Sequence, residues 1–460
     1  MTFRLGALVI VLLLAWSFVS AGDLLLGRRS RGLVELNEAF LVGLSAAAFL
    51  IFPLTLLLPH GALPALVVLL VLAVSARAFG RGPSTEPPGE RPPPDAKSLR
   101  DDPVATGLLL CLVLLAALFA VLNLRYSYLW DGFQIWASKA MVLFHQKGLV
   151  RTLWPAAGQV GRIVNYPNLV PLYEALLAFV RGQFEFNALK PVFLAFFVSL
   201  IVATYDLASS FVPRRAALLA ALLAGSLPAL ATKESAGGYA DMPLACYLAA
   251  TAAAGLRASP RRRTGRSALP FLAGGALLVK NEGVFLVAVG LGILAVEEIF
   301  SARPDLLQRL RNAALPVAVM AAYLIERITY RQWTRAVDIE FAGLDVPSLS
   351  RAVSRIGLVA TETVRHASDF WRWGVLWPAF AAAAVVLIFW GDRSERRMAM
   401  AVAGTTVLYA AIFLMTNWDV PLHVEQAFSR LLGQLAPIAV VVIVCAWWRL
   451  RSGEREPRGA

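Results

Sequence analysis

The chain has 460 residues, of which 58% are hydrophobic and 16% charged, with a mean hydropathy of +0.65. A soluble domain of this length could not bury that much apolar surface, so the composition points to a chain dissolved in lipid. The formal net charge of +13 does not imply nucleic acid as a partner, because the basic residues stand in short loops between apolar runs, as the positive-inside rule predicts. Cys111, Cys246 and Cys445 lie far apart in or beside apolar runs, a pattern that excludes a disulfide framework and metal-type spacing.

In chain order, spans are predicted at about 5–22, 38–58, 61–79, 103–122, 188–209, 214–231, 240–256, 268–280, 283–299, 312–330, 373–390, 398–416 and 433–449. The expected fold is thus all-α and polytopic, with about 13 crossings. The first run reads as an anchor, since no small-x-small cleavage site follows it. Residues 1–82 form three leading helices, and a Pro-rich cytoplasmic linker follows at 83–102, with PSTEPPGERPPP at 83–94. A membrane core spans 103–331 and includes a first outer loop, 123–187. Then come an outer loop (332–372), C-terminal helices (373–450) and a cytoplasmic tail (451–460).

Orientation follows from arginine. The loops bearing Arg28, Arg29 and Arg31, Arg214 and Arg215, Arg261 to Arg263 with Arg266, and Arg393, Arg396 and Arg397 all fall on the cytoplasmic side after thirteen crossings. The segment 166–181 carries Glu174 within a short apolar run and is expected to be an interfacial or partly inserted outer helix. The helix after Asp131, with Phe133, Trp136, Ala140 and Phe144 on one arc, is expected to lie along the membrane surface.

Four polar turns fall on the outer side. Asp131, in RYSYLWDGFQIWASKA, is flanked by Tyr128, Trp130 and Trp136; it could serve as a base or simply cap the following helix. Asp241 ends KESAGGYADMP and opens a helix, where capping or ligand binding would each explain it. Lys280, Asn281 and Glu282 break two apolar halves, either as a neutralising pair or with Lys280 as a phosphate-binding lysine. His423, Glu425 and Arg430 crowd the last turn, where Arg430 suits an anionic phosphate or, more plainly, snorkelling to the interface. There is no Walker loop and no HExxH.

The runs WDGFQIWASKA, NYPNLVPLY, GGYADMPL and LLVKNEG, with the W-x4-H-x6-R spacing from Trp418 to Arg430, resemble those of polytopic GT-C glycosyltransferases. Bacterial homologues of protein mannosyltransferases and aminoarabinose transferases are the most similar groups. The resemblance covers about 103–450. It implies transfer of a sugar, with inversion, from a polyprenyl-phosphate donor to an envelope lipid, glycan or protein acceptor. The setting would be the outer face of a bacterial inner (cytoplasmic) membrane. On this resemblance Asp131 is the catalytic carboxylate that activates the acceptor; Lys280 and Arg430 neutralise the carrier phosphate; Glu282 and His423 orient acceptor or metal; and Trp130 and Tyr166 line the substrate site. Asp131 and Asp241 would hold a divalent metal if one is used, though Asp131 stands alone where relatives carry paired acids. The competing expectation is a transporter or flippase for a lipid-linked or anionic solute, which needs polar residues on both sides of the midplane.

Overall fold

A computed structural model of the chain describes residues 2–79, 101–149, 166–231, 233–257, 268–300, 306–334 and 346–452. Most of the Pro-rich linker, the Arg261–Arg266 cluster, parts of both long outer loops (150–165 and 335–345) and the tail from 453 lie outside the described residues. The described residues hold helices and no strand. In chain order the long ones are α1 (Thr2–Leu26), α2 (Leu33–Leu57), α3 (Ala62–Phe79), α4 (Pro103–Arg125), α5 (Ser138–Gln146), α6 (Leu169–Arg181), α7 (Pro191–Ser209) and α8 (Arg214–Ser226). They continue as α9 (Asp241–Arg257), α10 (Leu269–Val279), α11 (Gly283–Phe300), α12 (Leu306–Thr334), α13 (Val346–Ala367), α14 (Leu376–Trp390), α15 (Arg393–Ile412) and α16 (Val420–Ser452).

Each apolar run predicted to span is helical. Among the described residues, seven helices are long and apolar enough to cross a membrane: those at 6–26, 33–57, 62–79, 103–125, 186–209, 393–415 and 420–452. α10 and α14 are shorter apolar helices. Apolar side chains such as Leu12, Leu114, Val121 and Phe389 are more than half exposed on these helices, as expected of a lipid-facing wall. The chain is therefore read as a multi-pass membrane protein.

Local signals set the helix ends. Asp102 caps α4, its carboxylate accepting from Ala105 N at 2.9 Å, with Pro103 at the first helical position. Asp392 and Glu395 form a reciprocal capping box at the start of α15. The helix predicted at 214–231 stops at Ser226, because Pro228 cannot continue it and starts a separate turn at Pro228–Ala231. α1 and α2 cross in backbone contact: a Cβ on Gly22 would sit 1.9 Å from Ala39 O, and one on Gly43 1.9 Å from Phe18 O.

One end of the bundle is tied by arginine. Arg28 pairs with Glu38 at 2.7 Å, Arg257 bridges Glu38 and Asp206, and Arg77 pairs with Asp23. These contacts gather the C-terminal ends of α1, α3, α7 and α9 with the start of α2. Arg215 and Arg214 hold Asp102 at 2.9 and 3.4 Å, joining the N-terminal ends of α8 and α4. Arg449 holds Glu395 at 2.6 Å, joining the end of α16 to the start of α15. Helices that begin or end here must present their other ends together across the bundle.

Two outer-loop expectations need correction. α6 does not present an apolar face to lipid as a surface helix would: it is walled in by α1, α2 and α5, and Leu169 to Ala178 are all buried, which leaves the partly inserted alternative. The helix after Asp131 does not lie flat with one continuous face. Gly132–Ala137 is a π-helical turn in which Ser138 N donates to Phe133 O, and the extra residue rotates α5 so that Lys139 points inward, fully buried. α13 carries a stripe of apolar residues, Val346, Leu349, Val353, Ile356 and Val364, that is about half or more exposed, the pattern of a helix lying in a lipid interface.

Candidate functional site

The ends opposite the arginines bring distant residues into contact. The turn at 128–132 docks on the Gly237–Gly238 turn: Leu129 N donates to Gly237 O at 2.9 Å. Gly132 is required here, because a Cβ would lie 2.2 Å from Gly237 O. Gly238 sits at φ +90° with the Tyr128 ring 2.5 Å from where its Cβ would be, so any side chain would be strained and would clash. This docking sets Asp131, just past α4, beside Asp241, in the first turn of α9.

Arg430, in the third turn of α16, joins the two acids. Its Nε donates to Asp241 Oδ2 at 3.0 Å and its Nη1 to Asp131 Oδ2 at 2.5 Å, while its guanidinium lies 4.5 Å from the centre of the Tyr239 ring. Lys280, between α10 and α11, donates to Asp241 Oδ1 at 2.8 Å and pairs with Glu282 Oε1 at 3.0 Å. Gln434, one turn beyond Arg430, donates to Asp241 Oδ1 at 2.7 Å and accepts from the Tyr409 hydroxyl at 2.9 Å. Four separate stretches of chain thus supply Asp131, Asp241, Lys280 with Glu282, and Arg430. Arg430 and Arg449 lie about 28 Å apart along α16, and Asp241 and Arg257 about 24 Å apart along α9, at 1.5 Å per residue. The cluster and the arginine-rich end are thus separated by nearly the thickness of a hydrocarbon core, about 30 Å.

Within the cluster the roles divide by hydrogen bonding. Asp241 takes three donors and is committed. Asp131 takes one: among the described residues its Oδ1 has no partner, and neither has Arg430 Nη2. Glu282 Oε2 is buried without a hydrogen bond. Neither acid caps a helix as the plainer reading allowed: the Asp131 side chain makes no capping bond, and the Asp241 carboxylate is spent on Lys280, Arg430 and Gln434.

Other expected site residues fall elsewhere. Tyr166 stacks edge-on to Trp136 with ring centres 5.2 Å apart, close enough to Arg430 to interact electrostatically. Trp130 is 67% exposed. His423 stands apart, two turns before Arg430: its Nδ1 lies 2.5 Å from Thr416 Oγ1, and its ring packs on Phe413 and Trp418. It braces the turn that enters α16, because the helical spacing that aligned it with Arg430 also sets it about 10 Å away along the axis.

In this arrangement Asp131 and Asp241 serve a guanidinium rather than a divalent ion. The Arg430 guanidinium bridges both carboxylates and occupies the place between them that an ion would take. Among the described residues no three His, Cys, Asp or Glu side chains gather as ligands.

A second polar group adjoins the Lys280–Glu282 turn. Arg327 donates to Asn281 Oδ1 at 2.5 Å, and Lys139 donates to Tyr166 O at 2.5 Å with its ammonium 4.8 Å from the centre of the Tyr330 ring. Burial, then the charge of Arg327, pushes the Lys139 ammonium well below its ordinary range. Glu326 lies nearby, with both carboxylate oxygens buried and unbonded. On α6, the Tyr128 hydroxyl donates to Glu174 Oε1 at 2.5 Å, and burial pushes the Glu174 carboxyl up to about 8. Gln434 was legible in principle, four residues after Arg430 on one helical face. Tyr409 and Glu326 carry no such signal.

Comparison of the chain with protein-family models, with curated proteins and with solved structures finds no match.

Proposed function

We propose that the chain is a membrane glycosyltransferase that moves a sugar from a polyprenyl-phosphate carrier to an acceptor hydroxyl, with inversion, at the extracytoplasmic face. The observation that carries this reading is the meeting of Asp131, Asp241, Lys280, Glu282 and Arg430 at helix ends remote from the arginine-rich end. Thirteen crossings, one per predicted span, put the arginines in the cytoplasm and the cluster outside. The exposed apolar stripe of α13 then rests in the outer interface.

The chemistry follows from which atoms are still free. The acceptor oxygen attacks the anomeric carbon and gives its proton to Asp131 Oδ1, while the bond from that carbon to the phosphate oxygen breaks. The electron pair leaves on the lipid phosphate, whose growing charge meets Arg430 Nη2 and Lys280. Asp241 does not react; it fixes Arg430 and Lys280 in place, with Gln434 and Tyr409 holding it in turn. Arg430 holds the Asp131 carboxylate in place through Oδ2, leaving Oδ1 for the acceptor. A transporter would need comparable polar groups beyond the midplane, whereas the carboxylates of the opposite end are tied to arginine.

The test is incubation of the purified protein in lipid nanodiscs with radiolabelled polyprenyl-phosphate hexoses and pentoses plus an envelope glycolipid extract. Label moves from donor to acceptor with wild type. Asp131→Asn stays folded and loses transfer by about 10²–10⁴-fold. Full activity of that variant removes Asp131 from the chemistry, and no transfer from any donor sinks the reading.

A further inference from the structure

We infer that the cavity beside Arg430 binds a pyranose ring of the acceptor, an assignment that rests on the transferase reading. The cavity measures about 400 Å³, within the roughly 300–1,000 Å³ of small-molecule sites. Asp241 and Arg430 line it with Tyr239 and Ser429, and Trp371 and Arg372 of the turn before α14 complete it. Trp371 is 92% exposed. A pyranose presents a face of C–H bonds that packs on an aromatic ring, and a rim of hydroxyls that seeks carboxylate, guanidinium and hydroxyl partners; this lining offers both.

The surrounding polar groups are not fully used. The Ser429 hydroxyl is buried without a hydrogen-bond partner, and so is the indole N–H of Trp373, whose ring lies 3.8 Å from where a Cβ on Gly433 would stand. Buried groups left unpaired in a native chain call for a specific cause, and a hydroxylated ligand supplies one. Arg430 is shared between this cavity and Asp131, so a ring seated here brings a hydroxyl within one side chain of the base. The donor is less suited to the space. Its isoprenoid needs an apolar path, and the larger cavity, about 500 Å³ between α9, α10, α11, α12 and α15, has an almost wholly apolar lining. The polar mouth at Asp369, Trp371 and Arg372 opens instead to a ligand arriving from water or the headgroup layer.

The test uses the full chain in nanodiscs with four methyl pyranosides as probes: glucoside, mannoside, galactoside and N-acetylglucosaminide. Binding is read by saturation-transfer NMR. Wild type gives signals with at least one probe. Gly433→Leu fills the cavity without helix penalty and loses them; Trp371→Ala, at an exposed position that folding does not need, weakens them. Asp131→Asn binds as wild type does. In the transfer assay both cavity variants raise the acceptor KM about tenfold, equivalent to about 1.4 kcal/mol, and leave the donor KM unchanged. Absence of binding by all four probes, or equal binding by Gly433→Leu, overturns the assignment. Binding without any transfer leaves the cavity standing and removes the transferase reading. Transfer with an unchanged acceptor KM in both variants removes the cavity alone.

Discussion

Both ends of the bundle are held by ion pairs, yet the two are built differently. At the arginine-rich end Asp23, Glu38, Asp102, Asp206 and Glu395 each meet at least one guanidinium, and Glu38 and Asp102 each receive two. At the other end three carboxylates, Asp131, Asp241 and Glu282, meet two cations, Arg430 and Lys280, and Asp241 and Arg430 line a cavity. Charges matched within the fold anchor it, whereas an excess of acid beside open space is what a ligand site offers. The difference separates anchoring from function more sharply than burial does, since both ends contain deeply buried charges.

The comparison can be broken by substitutions at either end. The largest effect on transfer, after loss of Asp131, is expected for Arg430→Lys. An ammonium cannot bridge two carboxylates and also present a third donor in the same plane. Transfer falls by about 10²–10³-fold, while circular dichroism shows an intact fold. Glu395→Gln does the reverse at the arginine-rich end. It removes the carboxylate charge that faces Arg449, which is 7% exposed, and costs up to about 3–5 kcal/mol of stability, seen as a lower melting temperature. Transfer per folded molecule stays at the wild-type level.

Glu174 gives a smaller, pH-dependent signature. Its carboxyl is raised in the folded protein, so the neutral form is favoured there. The associated stability is complete below the ordinary carboxylate value of about 4.3 and is lost as pH rises towards about 8. Over that window stability falls by up to about 1.4 kcal/mol per pH unit. Glu174→Gln removes the slope, and an unchanged slope in thermal melts shows that another group sets it. The smallest effect belongs to Arg28→Gln. Arg28 is 35% exposed and shares Glu38 with Arg257, so its loss costs under about 1 kcal/mol and leaves transfer alone.

Much of this arrangement could be read from the residues. Apolar runs located the helices, because lipid demands long uninterrupted hydrophobic segments. Asp206 pairs with Arg257 at the end where the arginines gather. Asp131, Asp241, Lys280, Glu282 and Arg430 were singled out as polar interruptions, and they touch. What could not be read was rotation and depth. The π turn after Asp131 buries Lys139 through one extra residue, a shift that no periodicity announces. The enclosure of α6 depends on three other helices. His423 shows the limit of spacing arguments: helical period gives the correct face, but two turns of rise carry it out of reach.

Sidedness tests the account most directly. In a variant with Cys111 replaced by alanine, single cysteines are placed at Trp130, at Trp371 and at Arg396, and intact cells are treated with a membrane-impermeant maleimide. The account predicts labelling at positions 130 and 371 and none at 396 until the membrane is opened. Labelling of 396 together with 130 from the same side, or protection of 130 and 371 in intact cells, contradicts it.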